Sequence, residues 1–433
     1  MKLTVTNIAK IKEASIEFNG ITVIAGENNS GKSTISKTLF SIYYSFYNSS
    51  SKLAYERKHE IGKRIGHFFG QHNLPNLHPI KSMTQKINEM PSTSTVEEIH
   101  KTVLDELGDQ ETDLSIFDDT EVARHFKVMD EKSIKELASN LHEILTINED
   151  FFQQRLISRH FKNEFNSQIN HIDLSNTCNI QLTDKDKNIH ISFQNNECIR
   201  FSKDYNINEE ALYIDTPFIL DDLDDNGHFF EDEIRSFGRK SHRDLLLRKL
   251  LLKSDITLID EILKEKKLGS IIQKINEAAY GDFTDSISKI GFRENGFSAS
   301  FNVSNLSTGL KTFAILKRLL ENGHLEKGVL ILDEPEVHLH PKWQLIFAEI
   351  LVLLQKEFDL TVLLTTHSPY FLESIEVYSQ KHGVFDKCKF YLTELNGNYA
   401  TITDVGGDDL EKIYKKLAEP FKELEIVRDT LHG

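Results

Sequence analysis

Residues 21–34 read ITVIAGENNSGKST, and this stretch decides the fold. Its first five residues form an apolar, largely β-branched run that predicts a buried strand. Gly26 to Ser33 fits the pattern GxxxxGKS/T, and apolar residues at helical spacing follow from Ile35 to Phe46. A strand, a glycine-rich loop and a helix in this order are what a phosphate-binding loop requires.

The loop carries groups that suit a nucleotide and its metal ion. Backbone amides in such a loop face phosphate oxygens, Lys32 reaches the β and γ phosphates, and the Ser33 hydroxyl ligates magnesium. The sequence therefore predicts a site for ATP and Mg2+ in which consecutive residues bind the nucleotide. These residues are Gly26, Glu27, Asn28, Asn29, Ser30, Gly31, Lys32, Ser33 and Thr34.

Two later apolar runs end in polar residues of the kind that complete such a site. Val329 to Leu332 predicts a strand, and the carboxylates of Asp333 and Glu334 follow it. Asp333 is expected to hold Mg2+ through water, and Glu334 to polarise the water that attacks the phosphate. The run from Leu360 to Leu364 leads to His367, which is expected to contact the γ-phosphate or the attacking water.

A fourth motif opens a helix predicted over residues 309–321. It reads Leu306-Ser307-Thr308-Gly309-Leu310-Lys311, and Ser307 is placed to cap the helix while the first backbone amides stay available. Without the other motifs, this pattern indicates only a capped helix.

In this order, the four motifs resemble the head domain of ABC-type ATPases of the SMC, Rad50, RecF and OLD branch. The resemblance covers residues 1–40 and 300–375. It implies an α/β fold, an ABC-type P-loop ATPase head with a mixed central sheet and flanking helices, split here by a mostly helical insertion. It also implies that the signature residues of one protomer close on the γ-phosphate bound by another, so that the chain forms a dimer or a higher homo-oligomer. The signature residues are Ser307, Thr308, Gly309 and Lys311.

Two details narrow the resemblance. The start of the P loop and Ser307 are 281 residues apart, which sets the chain apart from the ATP-binding subunits of transporters. The stretches DEPEVHLHP at 333–341 and TTHSP at 365–369 resemble the OLD-like, AAA15 and AAA21 ATPases of bacterial phage defence. In that resemblance, His338 and His340 belong to the D-loop that crosses the dimer interface, and we disfavour a metal site there.

The resemblance also suggests how the chain works with partners. Only 66 residues follow His367, too few for the Toprim domain of OLD nucleases, so a nuclease is expected on another chain. This arrangement is similar to the ATPase subunits of the two-gene PARIS and Septu defence systems. The chain is thus expected to regulate a separate nuclease or toxin effector of Toprim or HNH type, with a phage protein or DNA as the trigger. A RecF-like or Rad50-like DNA-repair ATPase that acts directly on DNA is the alternative.

Composition changes along the chain divide it into four predicted segments. The helical one has apolar faces of only three or four turns, too short for a long coiled coil. Beyond His367 we predict a largely polar end that finishes in an amphipathic helix over 410–424, interrupted at Pro420. The segments are 1–48 (head, N-terminal part), 49–165 (helical insertion), 166–300 (small β meander and helical lobe) and 301–433 (head, C-terminal part).

The overall charge limits the choice of partners. The chain has 433 residues, with 51 Lys and Arg against 67 Asp and Glu, for a net charge of −16. Such an acidic surface binds phosphate backbones poorly unless its cations cluster, and positive residues do concentrate between 235 and 253. These residues either bind DNA or an acidic partner, or form a solvated face.

With three widely spaced cysteines, no membrane-length apolar stretch and no signal peptide, we expect a cytoplasmic protein with no membrane partner.

Two polar features stay open. Gln71 is a candidate for the glutamine that contacts magnesium in ABC heads, and a surface glutamine in a loop is the other interpretation. The strand end Asp215-Thr216-Pro217 and the acidic run 221–225 either add a second metal site or form a solvated loop.

Overall fold

Two compact units make up the chain in a computed structural model that describes residues 1–71, 77–113, 131–171, 177–225, 241–254, 258–285, 290–406 and 409–432. The head unit comprises residues 1–47 and 156–433, and the helical unit comprises residues 48–155. The boundary between the two units falls within the helix Glu149–Glu164. Residues 156–165, which the sequence analysis placed in the insertion, therefore belong to the head unit.

The described strands all lie in the head unit and are numbered in chain order. They are β1 Lys2–Ile8, β2 Ile11–Glu17, β3 Ile21–Gly26, β4 Cys178–Asp184, β5 Lys187–Gln194, β6 Glu197–Lys203, β7 Ala211–Ile214, β8 Gly281–Asp285, β9 Ile290–Glu294, β10 Phe301–Asn302, β11 Val329–Asp333, β12 Thr361–Thr366, β13 Cys388–Asn396 and β14 Tyr399–Asp404. One sheet has eleven strands in the order β6-β5-β4-β1-β2-β14-β13-β3-β12-β11-β7, and β8, β9 and β10 form a separate sheet.

The parallel half of the large sheet positions the predicted motifs. β3 lies between β12 and β13 and is parallel to both, β12 is parallel to β11, and β11 is parallel to β7. All six residues of β3 are buried, as expected for a strand covered on both faces. The register aligns Ala25 with Thr366 and Asp333 with Thr365, so the carboxyl ends of these strands meet at one edge.

The antiparallel half of the sheet extends further than the sequence predicts. Strands β4, β5 and β6 form the expected meander, but β4 also pairs with β1, with Val5 opposite Ile180. The meander therefore extends the head sheet. Without it, β1 would be an edge strand with an unpaired backbone. The prediction of a largely polar end after His367 is wrong in part, since β13 and β14 form a hairpin that joins the sheet next to β3 and β2.

The described helices are numbered in the same way. They are α1 Lys32–Phe46, α2 Ser49–Gln71, α3 Leu77–Glu89, α4 Val96–Asp113, α5 Glu131–Leu145, α6 Glu149–Glu164, α7 Asp222–Asp225, α8 His242–Leu251, α9 Leu258–Asn276, α10 Thr308–Glu321, α11 Pro341–Phe358, α12 Pro369–Lys381, α13 Glu411–Leu417 and α14 Glu419–His432. The predicted C-terminal helix is thus two helices, with Pro420 in the first turn of the second. None of the helices described here combines the length and the apolar character needed to span a membrane.

Two hydrophobic cores flank the large sheet, because alternate residues of each strand point to opposite faces. On one face, Ile21 and Val23 of β3 pack in a core formed with helices α9 to α12. On the other face, Ile24 packs with Ile35 and Leu39 of α1. The head unit is therefore a mixed sheet between two helical layers, which confirms the predicted α/β fold of a P-loop ATPase head.

The helical unit has a core of its own. Helices α2, α3, α4 and α5 each bury one apolar face in it, and the faces predicted on α4 and α5 both contribute. The contributing residues of these two faces are Ile99, Val103, Leu107, Ile134, Leu137, Leu141 and Ile144. A cluster of short helices around one core fits a compact insertion and does not fit a long coiled coil.

A buried group of charged side chains lies where β7 ends. His242, the first residue of α8, places Nδ1 2.7 Å from Oε2 of Glu164 on α6 and Nε2 3.2 Å from Oδ2 of Asp215. Arg243 also donates to Asp215, at 2.7 Å. Burial alone would lower the pKa of His242, but the contacts with Asp215 and Glu164 outweigh it and raise the pKa to about 9.

From the contacts of His242 we predict that the free energy of unfolding depends on pH. Because the folded pKa of His242 lies above the unfolded value of about 6.5, its charge stabilises the fold fully below that pH. The contribution is lost as the pH rises through about 9. We expect His242→Gln to lower the free energy of unfolding by roughly 2–3 kcal/mol near pH 6 and by much less near pH 10.

Urea unfolding at both pH values measures this difference. His190→Gln is the matched control, because His190 is an exposed histidine on β5. An equal loss of stability at the two pH values would contradict a charged His242.

Candidate functional site

The carboxyl ends of four parallel strands meet at one edge of the head sheet. β3 leads into the P loop, residues 26–34, β11 leads into Glu334, and β12 leads into His367. β7 lies beside β11 and leads into Asp215. Strand pairing therefore brings three of the four sequence motifs together, although they are far apart along the chain.

The P loop has a backbone that favours glycine at two positions. Gly26 has a φ of 153° and Gly31 a φ of 91°. A Cβ atom on Gly26 would lie 2.2 Å from Oγ1 of Thr393 on β13. Ser30 closes the loop, since its hydroxyl donates to the carbonyl oxygen of Glu27 at 2.6 Å and also contacts Thr393. The shape of the loop thus depends on its packing against β13.

The start of α1 is suited to bind an anion. Gly31 is its N-cap, and no side chain in the described part of the protein caps the helix. Uncapped amides and the helix dipole favour a phosphate at this position. At the rim of the loop, Lys10 donates to Oδ1 of Asn29 at 2.6 Å, and Glu27 pairs with Lys416 of α13 at 3.1 Å.

Lys32, Glu334 and His367 form a row of ionisable groups across this edge. The buried ammonium of Lys32 donates to the carbonyl oxygens of Gly26 and Glu27 at 2.9 and 2.8 Å. It also lies 3.1 Å from Oε1 of Glu334, whose Oε2 lies 3.5 Å from Nδ1 of His367. The contact with His367, followed by the charge of Lys32, lowers the pKa of Glu334 to about 2, and Glu334 in turn raises the pKa of His367.

The backbone of Glu334 is held in a conformation that is unusual for a residue with a side chain. Its φ is 49°, in the left-handed region. Its amide donates to both the carbonyl and the hydroxyl oxygen of Thr365, each at 3.1 Å. Such strain costs on the order of 1 kcal/mol and persists where the surroundings enforce it. Here it directs the Glu334 carboxylate towards Lys32.

The carboxylate of Asp333 is fixed by two hydroxyl groups. Tyr213 on β7 donates to Oδ2 at 3.1 Å, and Thr365 on β12 donates to Oδ1. Both donors lie on strands that are paired with β11, so the sheet itself orients this side chain.

Ser33 and Asp333, two of the residues predicted to hold magnesium, fit that ion. Both line a cavity of about 230 Å3, together with Glu334 and Asp215. Hydroxyl and carboxylate oxygens are the ligands that Mg2+ prefers, and Mg2+ usually keeps several waters. Among the residues that the structure describes, no group of three His, Cys, Asp or Glu side chains is arranged to hold a metal ion by itself. The ion would therefore need phosphate oxygens or water as further ligands.

Glu336 is a candidate site residue that the sequence analysis missed. It is 2% exposed, and its Oε1 accepts hydrogen bonds from the Thr366 hydroxyl and from the backbone amide of His367. The same oxygen lies 3.8 Å from Nδ1 of His367, and burial raises the pKa of Glu336. Glu336 therefore positions His367. The available signal in the sequence was the second glutamate of DEPE.

The signature motif lines a cavity that shares His338 with the cavity of Ser33 and Asp333. Ser307 caps α10 as predicted, because its hydroxyl accepts from the amide of Leu310 at 3.4 Å. A Cβ atom on Gly309 would lie 2.9 Å from the ring of Trp343, so this position has no room for a side chain. A cavity of about 480 Å3 is lined by Ser307, Thr308, Gly309, His338, His340 and Trp343. The larger cavity at the P loop shares none of these residues.

Lys311 lies inside the head unit, away from this surface. Its side chain is buried, and its ammonium donates to the carbonyl oxygen of Ser304 at 2.9 Å and to Oδ1 of Asp221 at 2.5 Å. It also lies 5.6 Å from the ring centre of Phe218. Asp221, the first residue of the acidic run, is thus the partner of Lys311. Because its charge is already paired, this geometry does not support a phosphate contact by Lys311.

His338 lines the cavity of about 230 Å3 together with Ser33 and Asp333. Gln71 is the last residue of α2 in the helical unit, and its contact with magnesium stays a prediction. His340 caps α11 through the amide of Lys342 at 3.3 Å, and the ring centre of His338 lies 5.5 Å from that of Phe218.

The basic segment 235–253 is described only in part, because residues 226–240 lie outside the described residues. Within the described part, Arg243 pairs with Asp215 and Lys249 pairs with Glu210. These ion pairs neutralise two of the charges that a DNA-binding face would use.

The shape of the P loop predicts the effect of one methyl group. We expect Gly26→Ala to lower the free energy of unfolding by roughly 1–3 kcal/mol and to abolish nucleotide binding, because the added carbon overlaps Thr393. The matched control is Gly66→Ala in α2, where a Cβ atom would meet nothing within 4 Å and should add about 0.5–1 kcal/mol. Thermal unfolding of the two variants measures both effects, and equal stability of Gly26→Ala and the unmodified protein would contradict the packing argument.

Comparison with solved structures finds SMC head domains. The chain is similar to the SMC head domain from Thermotoga maritima, at 12% identity, with 94% of this chain and 98% of that chain covered and a TM-score of 0.39. It is also similar to the SmcHead bound to the C-winged helix domain of ScpA, at 12% identity, 95% and 98% coverage and a TM-score of 0.40. A third similar structure is the Smc head domain with an extended coiled coil bound to the C-terminal domain of ScpA derived from Pyrococcus furiosus, at 10% identity, 96% and 99% coverage and a TM-score of 0.34.

The family match includes the P loop, Asp333 and Glu334 at the end of β11, and His367. Residues 21–373 match the family described as "AAA domain, putative AbiEii toxin, Type IV TA system". This match spans well over half of the chain, and the protein therefore belongs to this family of AAA domains.

Proposed function

We propose that the protein binds and slowly hydrolyses ATP, closes with a second copy of itself around the nucleotide, and thereby regulates a separate nuclease or toxin effector in anti-phage defence. The observation that carries the proposal is the row of Lys32, Glu334 and His367 beside the P loop. The three residues come from different motifs, and strand pairing brings Glu334 into contact with both Lys32 and His367.

Each group at this edge has a part in hydrolysis. The amides at the start of α1, together with Lys32, bind the β and γ phosphates. Ser33 and Asp333 would hold Mg2+, which supplies charge neutralisation on the phosphates when bound. Glu334 accepts a hydrogen bond from the attacking water and orients it, and His367 contacts the water or the γ-phosphate.

The contacts of Glu334 suit it to orient water. His367 and Lys32 lower the pKa of Glu334 to about 2, so its carboxylate is ionised at neutral pH and can accept a hydrogen bond from the attacking water. Slow hydrolysis suits a protein whose nucleotide-bound form acts as a signal, because that form then lasts.

The position of the signature motif supports closure between two copies. Ser307 is exposed and lines a cavity that shares no residue with the larger cavity at the P loop, and only His338 with the smaller cavity lined by Ser33 and Asp333. A site that uses both motifs is therefore built most simply from two chains related by a two-fold axis, each giving its signature to the other. In this arrangement Ser307, Thr308 and Gly309 contact the nucleotide of the second copy, and Lys311 positions their helix.

Mixing two inactive variants tests closure between copies. We expect Lys32→Ala and Ser307→Arg to lose ATP hydrolysis separately and to recover about a quarter of the activity when mixed in equal amounts, because half of the dimers then contain one intact composite site. Release of phosphate from ATP is the measurement. Lys32→Ala mixed with Glu334→Gln is the control, since both changes damage the same half of the site and no intact site can form. Failure of the first mixture to recover activity would contradict the dimer.

One observation supports an effector on another chain. The net charge of −16, with Arg243 and Lys249 already paired, favours nucleotide and protein partners over direct binding of DNA. Direct action on DNA, as in a RecF-like or Rad50-like repair ATPase, is the alternative.

A plating assay separates the two functions. In cells that carry this gene and its adjacent gene, we expect phage plating to fall, and Lys32→Ala to restore it, because a chain that cannot bind ATP cannot close. Lys381→Ala is the control, since Lys381 is an exposed lysine of α12 that pairs with Glu349, away from the P loop. Protection that does not depend on Lys32 would contradict the proposal. Salt-sensitive, ATP-dependent binding of duplex DNA by the isolated protein would favour the alternative.

A further inference from the structure

Helix α14 is exposed to solvent along its length. Every residue from Glu419 to Leu431 is exposed. Four large apolar side chains nevertheless recur at intervals of three or four residues along one face, with exposed fractions between 54% and 77%. These residues, called here the apolar stripe, are Phe421, Leu424, Val427 and Leu431. An exposed apolar surface of this kind marks a site of interaction.

A helix with these properties needs a partner to be stable. Isolated helices shorter than about 12–15 residues are marginal in water, and α14 has 14 residues. The preceding helix α13 is stabilised by packing, since Ile413 is buried and Leu417 packs against the core that contains α9 to α12. From Glu419 onward the chain is exposed, so the apolar stripe is accessible to a second molecule.

The start of α14 is tied to the P loop. Lys416 of α13 pairs with Glu27 of the P loop at 3.1 Å and with Glu419 of α14 at 2.9 Å. The hydroxyl of Tyr414 donates to Oε2 of Glu376 on α12 at 2.6 Å, which fixes α13 to the head unit. In the proposed closure the P loop faces the second copy, and α14 therefore begins at the rim of that interface.

The charges on α14 argue against a membrane as the partner. Helices that lie on membrane surfaces have polar faces rich in Lys and Arg. α14 instead carries four carboxylates and two cations, namely Glu419, Glu423, Glu425 and Asp429 with Lys422 and Arg428. A helix with mixed and mainly acidic charge suits a protein surface.

The spacing of the side chains matches a short two-stranded coiled coil. Leu424, Val427 and Leu431 occupy positions a, d and a of a heptad. Glu423 then occupies position g, and Arg428, five residues later, occupies position e. In a parallel pair, position g of one helix faces position e of the other, so two copies of α14 would form two Glu423–Arg428 ion pairs. The helix is thus complementary to itself.

We infer that α14 pairs in parallel with α14 of a second copy, along the apolar stripe, when the heads close on ATP. The inference rests on the proposed closure and adds an interface to it. α14 spans two heptads, whereas a stable coiled coil uses about three or four. Pairing therefore depends on closure, because closed heads raise the effective concentration of one helix beside the other. By the same coupling, pairing stabilises the closed heads and prolongs the ATP-bound form.

Sedimentation equilibrium with a non-hydrolysable ATP analogue and magnesium tests the inference. We expect Leu424→Asp to weaken dimerisation about tenfold, because it removes apolar burial from the seam and places a carboxylate there. The matched control is Ile426→Asp, which adds the same charge at a similarly exposed apolar residue two positions further on, on the opposite face of the helix. This control should leave dimerisation nearly unchanged.

Cysteine cross-linking tests the orientation of the two helices. We expect Leu431→Cys to form a disulfide between copies under mild oxidation with the analogue present, because equivalent a positions meet in a parallel pair. Ile426→Cys, on the opposite face, is the control and should not cross-link. Cross-linking of neither variant, or of both at the same rate, would contradict the parallel pair.

The outcomes separate the helix pair from the nucleotide site. Analogue-dependent dimers that Leu424→Asp and Ile426→Asp leave equally stable would overturn the helix pair and leave the proposed closure in place. Unchanged dimers of Leu424→Asp together with loss of phage protection would assign the apolar stripe to the effector, and would also overturn the inference. If the unmodified protein stayed monomeric with the analogue, the proposed closure would fail and the helix pair with it.

Discussion

The parallel pairing of β3 with β12 and β13 is the constraint on which the site depends. Pairing with β12 brings the P loop beside His367, and pairing with β13 places Thr393 against Gly26. β11 then adds Glu334 from the other side of β12. Because side chains alternate along a strand, a slip of one residue in any of these pairs would turn the facing groups to the opposite side of the sheet. The row formed by Lys32, Glu334 and His367 is thus a consequence of the strand register.

Further polar contacts hold Asp333 in place at this edge of the sheet. The hydroxyl of Tyr213 holds Asp333, and its ring lies 4.3 Å from that of His242. His242 pairs in turn with Glu164, near the end of α6, the helix in which the boundary between the head and helical units falls. Buried networks of this kind are rigid when every member is paired. The position of the Asp333 carboxylate therefore depends on side chains that it does not contact itself.

Local sequence pattern was sufficient for some parts of the fold and insufficient for others. The P loop, the strands that lead to Glu334 and His367, and the Ser307 cap each have signals within a few residues. The β13–β14 hairpin was missed, since its place beside β3 depends on pairing between distant segments. The sequence predicts a nucleotide contact for Lys311, because its partner, Asp221, lies far away in the sequence. It does not single out Glu336, because burial is a property of the folded chain and is not visible in composition.

The packing of Gly309 against Trp343 has a practical consequence. Trp343 is the single tryptophan of the chain, and its ring also meets Phe313 of α10 edge-on, with centroids 5.8 Å apart. Any rotation of α10 relative to α11 therefore changes the surroundings of one indole ring. The intrinsic fluorescence of the protein is thus a built-in reporter for the signature helix, readable in stopped flow without a label.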